Sequence, residues 1–314
     1  MIYIFKPKFV FLIGKSQSKF VTYMAFCPPP QATYARITAR LLTVPQTTQN
    51  PTRVMSCRYY VNHGDSIRIE KESSALSAAR NYPVLLLSHG NADDLGTCEH
   101  YCKWLGFQLE MHVVTYDYQG YGHSSPLPCD EESMRDFVGA LYEDVRRNLP
   151  GSAVFLMGKS VGSVPTMWLA AQDIGYSGVI IVSGMASGAR TVFSKLGNMP
   201  VCISNPLDSI FGNNMVWEQN LHGPLLIIHG KDDNVIPVIN ADILGDRVPL
   251  DCKCTKILLS ADHNDIETRH AHVFLSGMAH FITENAPVLD SFEQPFTDKQ
   301  TLNPRQLFCE EHAM

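Results

Sequence analysis

The sequence predicts an α/β protein with a mostly parallel, eight-stranded sheet and helices on both faces of it. From residue 82 onward, short apolar runs that mostly end at glycine alternate with amphipathic runs. The apolar runs are uninterrupted, which is typical of strands that are buried on both faces. Strands that alternate with helices form right-handed crossovers, so the sheet is expected to be mostly parallel.

Six apolar runs are the predicted parallel strands. They are residues 82–90, 111–118, 153–158, 178–184, 224–230 and 255–260. Two weaker runs, residues 56–62 and 66–71, flank a turn at residues 63–65 and predict an antiparallel hairpin at the edge of the sheet. This hairpin completes the eight strands.

The segments between the strands have helical periodicity. Between Asp130 and Leu149, apolar residues recur on one helix face with charged residues between them. Similar stripes predict helices within residues 95–105 and 266–282. We therefore expect one folded domain over residues 52–286, between a basic leader (1–51) and a loose C-terminal tail (287–314).

The charge balance excludes a general nucleic-acid-binding protein. The 314 residues contain 25 basic and 31 acidic side chains, a formal charge of −6. The nine cysteines are too few for a disulfide scaffold and their number is odd, which favours a reducing compartment such as the cytoplasm. Residues 1–64 hold eight basic and no acidic residues, so a mitochondrial transit peptide is the alternative interpretation of the leader.

The strongest motif is GKSVG at residues 158–162, where a predicted buried strand meets a predicted helix. A G-x-S-x-G motif at such a junction predicts a nucleophile elbow, in which a sharp turn presents the serine hydroxyl above the sheet. The flanking residues, Gly158 and Gly162, leave space for the neighbouring strand and helix. Ser160 is therefore the candidate nucleophile.

A serine hydroxyl is a poor nucleophile unless a base, oriented by a third group, accepts its proton. Asp232 and Asp233 follow the strand at 224–230, and His263 follows the strand at 255–260. Because the carboxyl ends of parallel strands meet at one edge of a sheet, these side chains could converge on Ser160. We select His263 as the base and Asp233 as the acid, because Asp233 lies one residue further from its strand, and Asp232 stays open as the alternative.

The expected oxyanion hole consists of two backbone N–H groups. In a nucleophile-elbow site, one is donated by the residue after the nucleophile and one by the loop after an earlier strand. Here these residues are Val161 and Asn91, the latter within the loop at 88–92.

No cofactor and no metal ion is predicted. Cys98, His100 and Cys102 have a spacing that a metal site could use, but both cysteines lie on the apolar stripe of a predicted helix. The Gly-x-Gly at residues 120–122 lacks the third glycine of a dinucleotide fingerprint.

Five motifs occur in a characteristic order along the chain. They are SHGNADDLG, YDYQGYGHSS, GKSVGSVPT, IIHGKDDNVI and HNDIE. With them the chain resembles the α/β-hydrolase superfamily and, more narrowly, the α/β-hydrolase domain-containing protein 17 family, whose members remove palmitate from cysteines of membrane-bound proteins. The resemblance implies an α/β-hydrolase fold and a triad of Ser160, Asp233 and His263.

The segment between residues 183 and 224 has room for a minimal cap only, so we expect a shallow site that a protein-bound lipid chain can reach. This favours a serine hydrolase that cleaves acyl thioesters of S-acylated proteins. The alternatives are an esterase or lipase that acts on small or lipid oxygen esters, and a catalytically idle scaffold.

The family also begins with a cysteine-rich, S-acylated membrane anchor, and the resemblance makes Cys27 the candidate lipidation site here. A short basic amphipathic helix is predicted from an apolar face with two arginines beside it: Ile37, Leu41, Val44, Arg36 and Arg40. One lipid chain together with basic residues in 1–44 would bind an anionic membrane surface, so we expect a peripheral protein of the cytosolic face. Met1 and Met24 are both candidate start residues.

Overall fold

The computed structural model describes residues 26–44, 53–192 and 201–286. These residues contain a nine-stranded sheet with the order β1-β2-β5-β4-β6-β7-β8-β9, and β3 also pairs with β2. The strands are β1 (Arg40–Val44), β2 (Arg53–Asn62), β3 (Ile67–Glu70), β4 (Val84–Ser88), β5 (His112–Tyr116), β6 (Val154–Lys159), β7 (Gly178–Val182), β8 (Leu225–Gly230) and β9 (Cys254–Leu259).

Most of the described helices connect consecutive strands. They are α1 (Ser73–Ser77), α2 (Glu99–Gln108), α3 (Glu131–Asn148), α4 (Ser163–Ala170), α5 (Gly188–Val192), α6 (Val201–Asp208), α7 (Asn214–Trp217), α8 (Ile239–Gly245), α9 (Ile266–Arg269) and α10 (Ala271–Asn285). Three short 3-10 turns occur at Arg36–Thr38, Ser160–Gly162 and Glu218–Asn220. Within these ranges, no helix is both long and apolar enough to span a bilayer.

The sheet has the predicted parallel arrangement from β4 to β9. These strands pair with one another in parallel, whereas β2 runs antiparallel to β1, β3 and β5. Every residue of β4, β5, β7 and β8 is buried. The uninterrupted apolar runs therefore correspond to strands that are covered on both faces, as expected.

Helices cover both faces of the sheet and create two hydrophobic cores. On one face α3 and α4 contribute Phe137, Leu141 and Met167 to the first core. On the other face Trp104 of α2 stacks on Phe274 of α10, with ring centroids 6.1 Å apart. Because β4, β6, β8 and β9 run parallel, their carboxyl ends lie at one edge of the sheet, where the site lies.

The helix predicted between Asp130 and Leu149 is confirmed as α3. It begins with a capping box, in which the Asp130 side chain accepts a hydrogen bond from Ser133 N at 2.8 Å and the Ser133 hydroxyl accepts one from Asp130 N. The stripe predicted at 266–282 forms two helices, because His270 leaves the helical conformation between α9 and α10.

The amphipathic helix predicted around residues 36–44 is wrong. The segment forms one 3-10 turn and then β1, which pairs with β2 from Arg40 opposite Cys57 to Val44 opposite Arg53. Pairing with the open edge of β2 satisfies backbone groups that a three-turn helix would leave unpaired at both of its ends. The sheet therefore has nine strands instead of eight and begins before residue 52, where we placed the start of the domain.

The 3-10 turn and β1 also direct the basic residues differently from the prediction. Arg40 does not lie beside an exposed apolar face, because its Nε is 3.0 Å from Oδ2 of the buried Asp144 in α3. Arg36 remains exposed. The remaining leader residues 1–25, with Met1 and Met24, and the tail 287–314 lie outside the described residues.

Glu218 is a fully buried carboxyl group near the end of the segment that connects β7 to β8. Its Oε1 accepts a hydrogen bond from Arg247 N at 3.2 Å, and Arg247 Nε lies 3.9 Å from Oε2. Burial raises the pKa of Glu218 to about 9, and the neighbouring Arg247 only partly opposes this shift. The group is therefore protonated in the folded protein at neutral pH.

We expect Glu218→Gln to stabilise the protein more at pH 8 than at pH 5. The folded pKa lies above the unfolded value of about 4.3, so the stability linked to this proton is complete below that value and is lost as the pH rises through about 9. The neutral amide does not titrate, so the gain in unfolding free energy should grow by on the order of 1 kcal/mol per pH unit. Urea unfolding at both pH values measures it, and an equal gain at pH 5 and pH 8 would contradict the assignment.

Candidate active site

The sharp turn after β6 has the geometry of a nucleophile elbow. Ser160 has φ of +55°, a left-handed conformation that is uncommon for a residue with a side chain. A Cβ atom at position 158 would lie 2.6 Å from Gly162 O, and one at position 162 would overlap Ser88 O of β4. Both flanking positions thus require glycine, as the motif predicts.

Ser160, His263 and Asp233 form one continuous hydrogen-bonded chain. His263 Nε2 lies 3.0 Å from Ser160 Oγ, and His263 Nδ1 lies 2.8 Å from Asp233 Oδ2. All three residues are buried, whereas Asp232 is exposed. The structure therefore brings together the three residues selected from the sequence, and Asp233 is the one of the two neighbouring acids that contacts the histidine.

The environment of Asp233 keeps its carboxyl group ionised. Burial by itself would raise the pKa of Asp233, but hydrogen bonds from His229, His263 and the backbone N–H of Ile236 hold it well below its ordinary range. Oδ1 accepts from Val235 N at 2.9 Å and from Ile236 N at 2.7 Å. An ionised acid at this place orients the imidazole so that Nδ1 carries the proton and Nε2 is free to accept one from the serine.

His229, at the end of β8, is a neighbour of the acid that the sequence analysis did not identify. It is completely buried, with Nε2 2.8 Å from Ile236 O and 3.3 Å from Asp233 Oδ2. The carbonyl contact indicates that Nε2 carries the proton, so His229 donates hydrogen bonds toward Asp233 and its loop. The sequence signal that could have identified His229 is its place in the motif IIHGKDDNVI, directly before Gly230 and four residues before Asp233.

Asp262 connects the loop of the acid to the loop of the base. Its Oδ1 accepts from His263 N at 2.7 Å, and its Oδ2 accepts from the Asn234 side chain at 2.8 Å. The loops after β8 and β9 are therefore held together next to the triad. The sequence alone does not distinguish Asp262, which links two loops, from an ordinary solvated acid in a loop.

An ion pair connects the elbow to the helix that follows His263. Lys159 Nζ lies 2.6 Å from Oε1 of the buried Glu267 in α9, and 5.0 Å from the centre of the Tyr101 ring. Burial alone would lower the pKa of Lys159, but Glu267 outweighs this effect and raises it. Lys159 is thus charged and directed toward Glu267, which couples the positions of Ser160 and the His263 loop.

The loop predicted to form the oxyanion hole lies next to the elbow. Ser88, where β4 ends, is in register with Gly158 of β6, so residues 89–92 begin beside the nucleophile. Asn91 Oδ1 accepts hydrogen bonds from Tyr121 Oη at 2.7 Å and from Cys27 N at 3.0 Å. Donation to an oxyanion by the backbone N–H groups of Asn91 and Val161 stays a prediction.

The cysteines considered as metal ligands are core residues. Cys98 and Cys102 are both buried against the sheet, and burial raises the pKa of each thiol. A thiol that stays protonated is a weak metal ligand. Over the described ranges, no three side chains of His, Cys, Asp or Glu are grouped as a metal site.

The connection between β7 and β8 contains only short elements in the part that the structure describes. They are α5, α6 and α7, with 5, 8 and 4 residues, followed by the 3-10 turn at Glu218–Asn220. The arrangement can therefore activate a serine hydroxyl for attack on a carbonyl carbon beneath a small covering segment.

The chain is similar in sequence to a hydrolase family model and to α/β-hydrolase domain-containing proteins. Residues 79–209 match the family model described as serine aminopeptidase, S33. The chain is 30% identical over 226 residues to α/β-hydrolase domain-containing protein aho-3 of Caenorhabditis elegans, covering 71% of this chain and 64% of that protein. It is 32% identical to human α/β-hydrolase domain-containing protein 17C, covering 65% of this chain and 59% of the relative. The matched region thus spans about three fifths of the length of these relatives.

Solved structures show the same fold at low sequence identity. An esterase of Pyrococcus furiosus has a TM-score of 0.60 at 13% identity and covers 83% of this chain and 99% of its own. A Xanthomonas campestris serine hydrolase described as without lid has a TM-score of 0.53 at 14% identity, covering 80% of this chain and 96% of its own. These likenesses confirm the fold expected from the sequence motifs.

Substitution of the two neighbouring acids should separate their roles. We expect Asp233→Asn to slow the reaction of Ser160 with a fluorophosphonate by on the order of 10⁴-fold, because the amide favours the wrong imidazole tautomer. Asp232→Asn is the matched control and should react at the wild-type rate, since Asp232 is exposed and does not contact His263. Equal losses in both variants would contradict the assignment of Asp233.

Proposed function

Because this chain is an α/β hydrolase that resembles the α/β-hydrolase domain-containing protein 17 family, we propose that it is a serine hydrolase that depalmitoylates S-acylated proteins. The single observation that carries the serine-hydrolase part is the hydrogen-bonded chain from Ser160 through His263 to Asp233, with the serine on a strained elbow. The resemblance to the family supports the thioester substrate.

The proposed reaction has two halves. In the first, Ser160 Oγ attacks the thioester carbonyl while His263 Nε2 accepts its proton, and the tetrahedral oxyanion collapses with loss of the cysteine sulfur, which takes the proton from His263. In the second, His263 removes a proton from water as the water attacks the acyl carbonyl, and the tetrahedral intermediate collapses with release of the fatty acid while Ser160 Oγ takes the proton back from His263. The ionised Asp233 stabilises the imidazolium that forms in both halves.

The cover over the site supports a substrate that is presented on a protein. The described helices between β7 and β8 are short, with 4 to 8 residues each. Among the described residues these short elements form no large cap domain, and a site without one suits a lipid chain attached to a folded partner better than a deep, closed cavity does. Since the triad itself does not discriminate sulfur from oxygen as the leaving atom, an esterase or lipase activity is the competing function.

Release of fatty acid from matched substrates tests the proposal. We expect the wild type to cleave an S-palmitoyl peptide faster than its O-palmitoyl counterpart. Ser160→Ala should lower the rate on both substrates by at least about 10³-fold. Preference for the oxygen ester would replace the thioesterase proposal with an esterase or lipase. No turnover above the Ser160→Ala level on either substrate would contradict hydrolysis altogether and favour the scaffold.

We further propose that the protein binds peripherally to anionic membranes on the cytosolic face. Cys27 is exposed, and so are Arg36 and the apolar side chains of Ile37 and Leu41, although no amphipathic helix carries them. An acyl chain on Cys27 and the basic residues of the leader would supply the two signals that stable attachment needs. A mitochondrial location is the alternative.

Cell fractionation of the full chain tests this attachment. We expect Cys27→Ser to move most of the protein from the membrane fraction to the supernatant, because one remaining weak signal gives only marginal binding. Cys57→Ser is the matched control, since Cys57 is buried in β2 and inaccessible to acylation. An unchanged membrane fraction for Cys27→Ser, or import into mitochondria, would contradict the proposal.

A further inference from the structure

A segment of the N-terminal region, residues 26–34, lies across the loops at the active-site edge of the sheet, and we call it the N-terminal strap. Its first contact is with the predicted oxyanion loop. Cys27 N donates to Asn91 Oδ1 at 3.0 Å, and Tyr121 Oη donates to the same oxygen at 2.7 Å. The strap and the loop after β5 thus hold the Asn91 side chain from two sides.

The second contact is with Asp94, two residues beyond the oxyanion loop at 88–92. Thr33 N donates to Asp94 Oδ2 at 2.7 Å, and the Thr33 hydroxyl donates to Asp94 Oδ1. Oδ1 also accepts from Gly96 N and Thr97 N, each at 3.0 Å. Asp94 is completely buried, so it serves as a hub that joins the strap to the turn leading into α2.

The third contact reaches Asp117, which follows β5 and is completely buried. The Tyr34 hydroxyl donates to Asp117 Oδ2 and accepts from His123 N at 3.1 Å. The other oxygen of Asp117 accepts at 2.9 Å from Leu95 N, three residues beyond the oxyanion loop at 88–92. Tyr34 is therefore connected to the oxyanion loop through a shared carboxylate.

The fourth contact joins the strap to the short cover over the site. Phe26 is 9% exposed and packs edge-on against Phe211, with ring centroids 5.6 Å apart. The strap consequently contacts the oxyanion loop, the loop after β5 and the segment between β7 and β8. Residues 89–97 have no regular helix or strand before α2, so these hydrogen bonds replace the pairing that positions a strand.

We propose that the N-terminal strap is a positioning element of the active site, which aligns the backbone of residues 89–95 for oxyanion binding through Asn91 and Asp94. The inference rests on the proposed serine-hydrolase function and deepens it. Oxyanion donors act only when they are preorganised at hydrogen-bond distance from the developing charge. Displacement of their loop therefore lowers the rate of reaction at Ser160 while the triad stays intact. Thr33 and Asn91 are positioning residues through their side chains.

Thr33→Val in the full chain is the primary test. Valine keeps the shape and the backbone N–H of residue 33 but removes the hydroxyl that donates to Asp94. We expect the second-order rate of Ser160 labelling by a fluorophosphonate to fall about tenfold, less than the roughly hundredfold cost of removing an oxyanion donor outright. We also expect faster hydrogen–deuterium exchange at residues 89–95.

Thr43→Val is the matched control, because Thr43 lies in the same N-terminal region but beyond the strap, with an exposed side chain in β1. Its labelling rate should stay within about twofold of the wild type. Asn91→Ala is a second test variant, which removes the side-chain acceptor and keeps the backbone N–H. It should slow labelling and raise exchange at residues 89–95 in the same way as Thr33→Val. In cleavage of the S-palmitoyl peptide, it should lower kcat more than it raises KM.

The outcomes separate this inference from the proposed function. Wild-type labelling and exchange in both Thr33→Val and Asn91→Ala would overturn the role of the strap, even if the wild type cleaves palmitoyl thioesters. Loss of folded protein in the thermal melt of Thr33→Val, with Asn91→Ala unchanged in rate and exchange, would also overturn it. Because exchange requires no turnover, increased exchange at residues 89–95 supports the strap even if no palmitoyl substrate is cleaved.

Discussion

The close approach of the Ser160 turn to β4 is the constraint on which the rest of the site depends. The left-handed backbone of Ser160 costs on the order of 1 kcal/mol or more, and it persists because β6 and α4 are buried on either side of the turn. Gly162 lies against Ser88 O, where any side chain would overlap. The same contact therefore presents the hydroxyl above the sheet and places the predicted oxyanion loop beside it.

The acid and base lie on loops, so charged hydrogen bonds decide their positions. Asp262 joins the two loops, and the ion pair from Lys159 to Glu267 joins the second loop to the elbow. Hydrogen bonds to ionised groups are shorter and stronger than neutral ones, and water competes little for the largely buried pair of Lys159 and Glu267. The parallel strands bring the loops to one edge of the sheet. The contacts of Asp262 and Glu267 then hold the loops in the positions that align His263 with Ser160.

The N-terminal region has two roles that its composition does not reveal. It adds β1 to the sheet, and residues 26–34 contact the connections after β4, β5 and β7. Cys27 is exposed, yet its backbone N–H is bonded to Asn91. The proposed lipidation site therefore lies on the residue whose backbone contacts the predicted oxyanion loop.

The sequence by itself determined the parallel sheet, the elbow and the identity of the base, because uninterrupted apolar runs and a glycine-flanked serine at a strand end are local signals. It favoured Asp233 but left Asp232 open, since neighbouring loop residues differ mainly in side-chain direction, and the contact with His263 decided between them. The spacing of Ile37, Leu41 and Val44 fits a helix, but the open edge of β2 offered backbone pairing that only the folded sheet provides. The contacts of Asp262 and Glu267 could not be predicted from the sequence either, because such an acid acquires its partner only when distant strands bring two connections together.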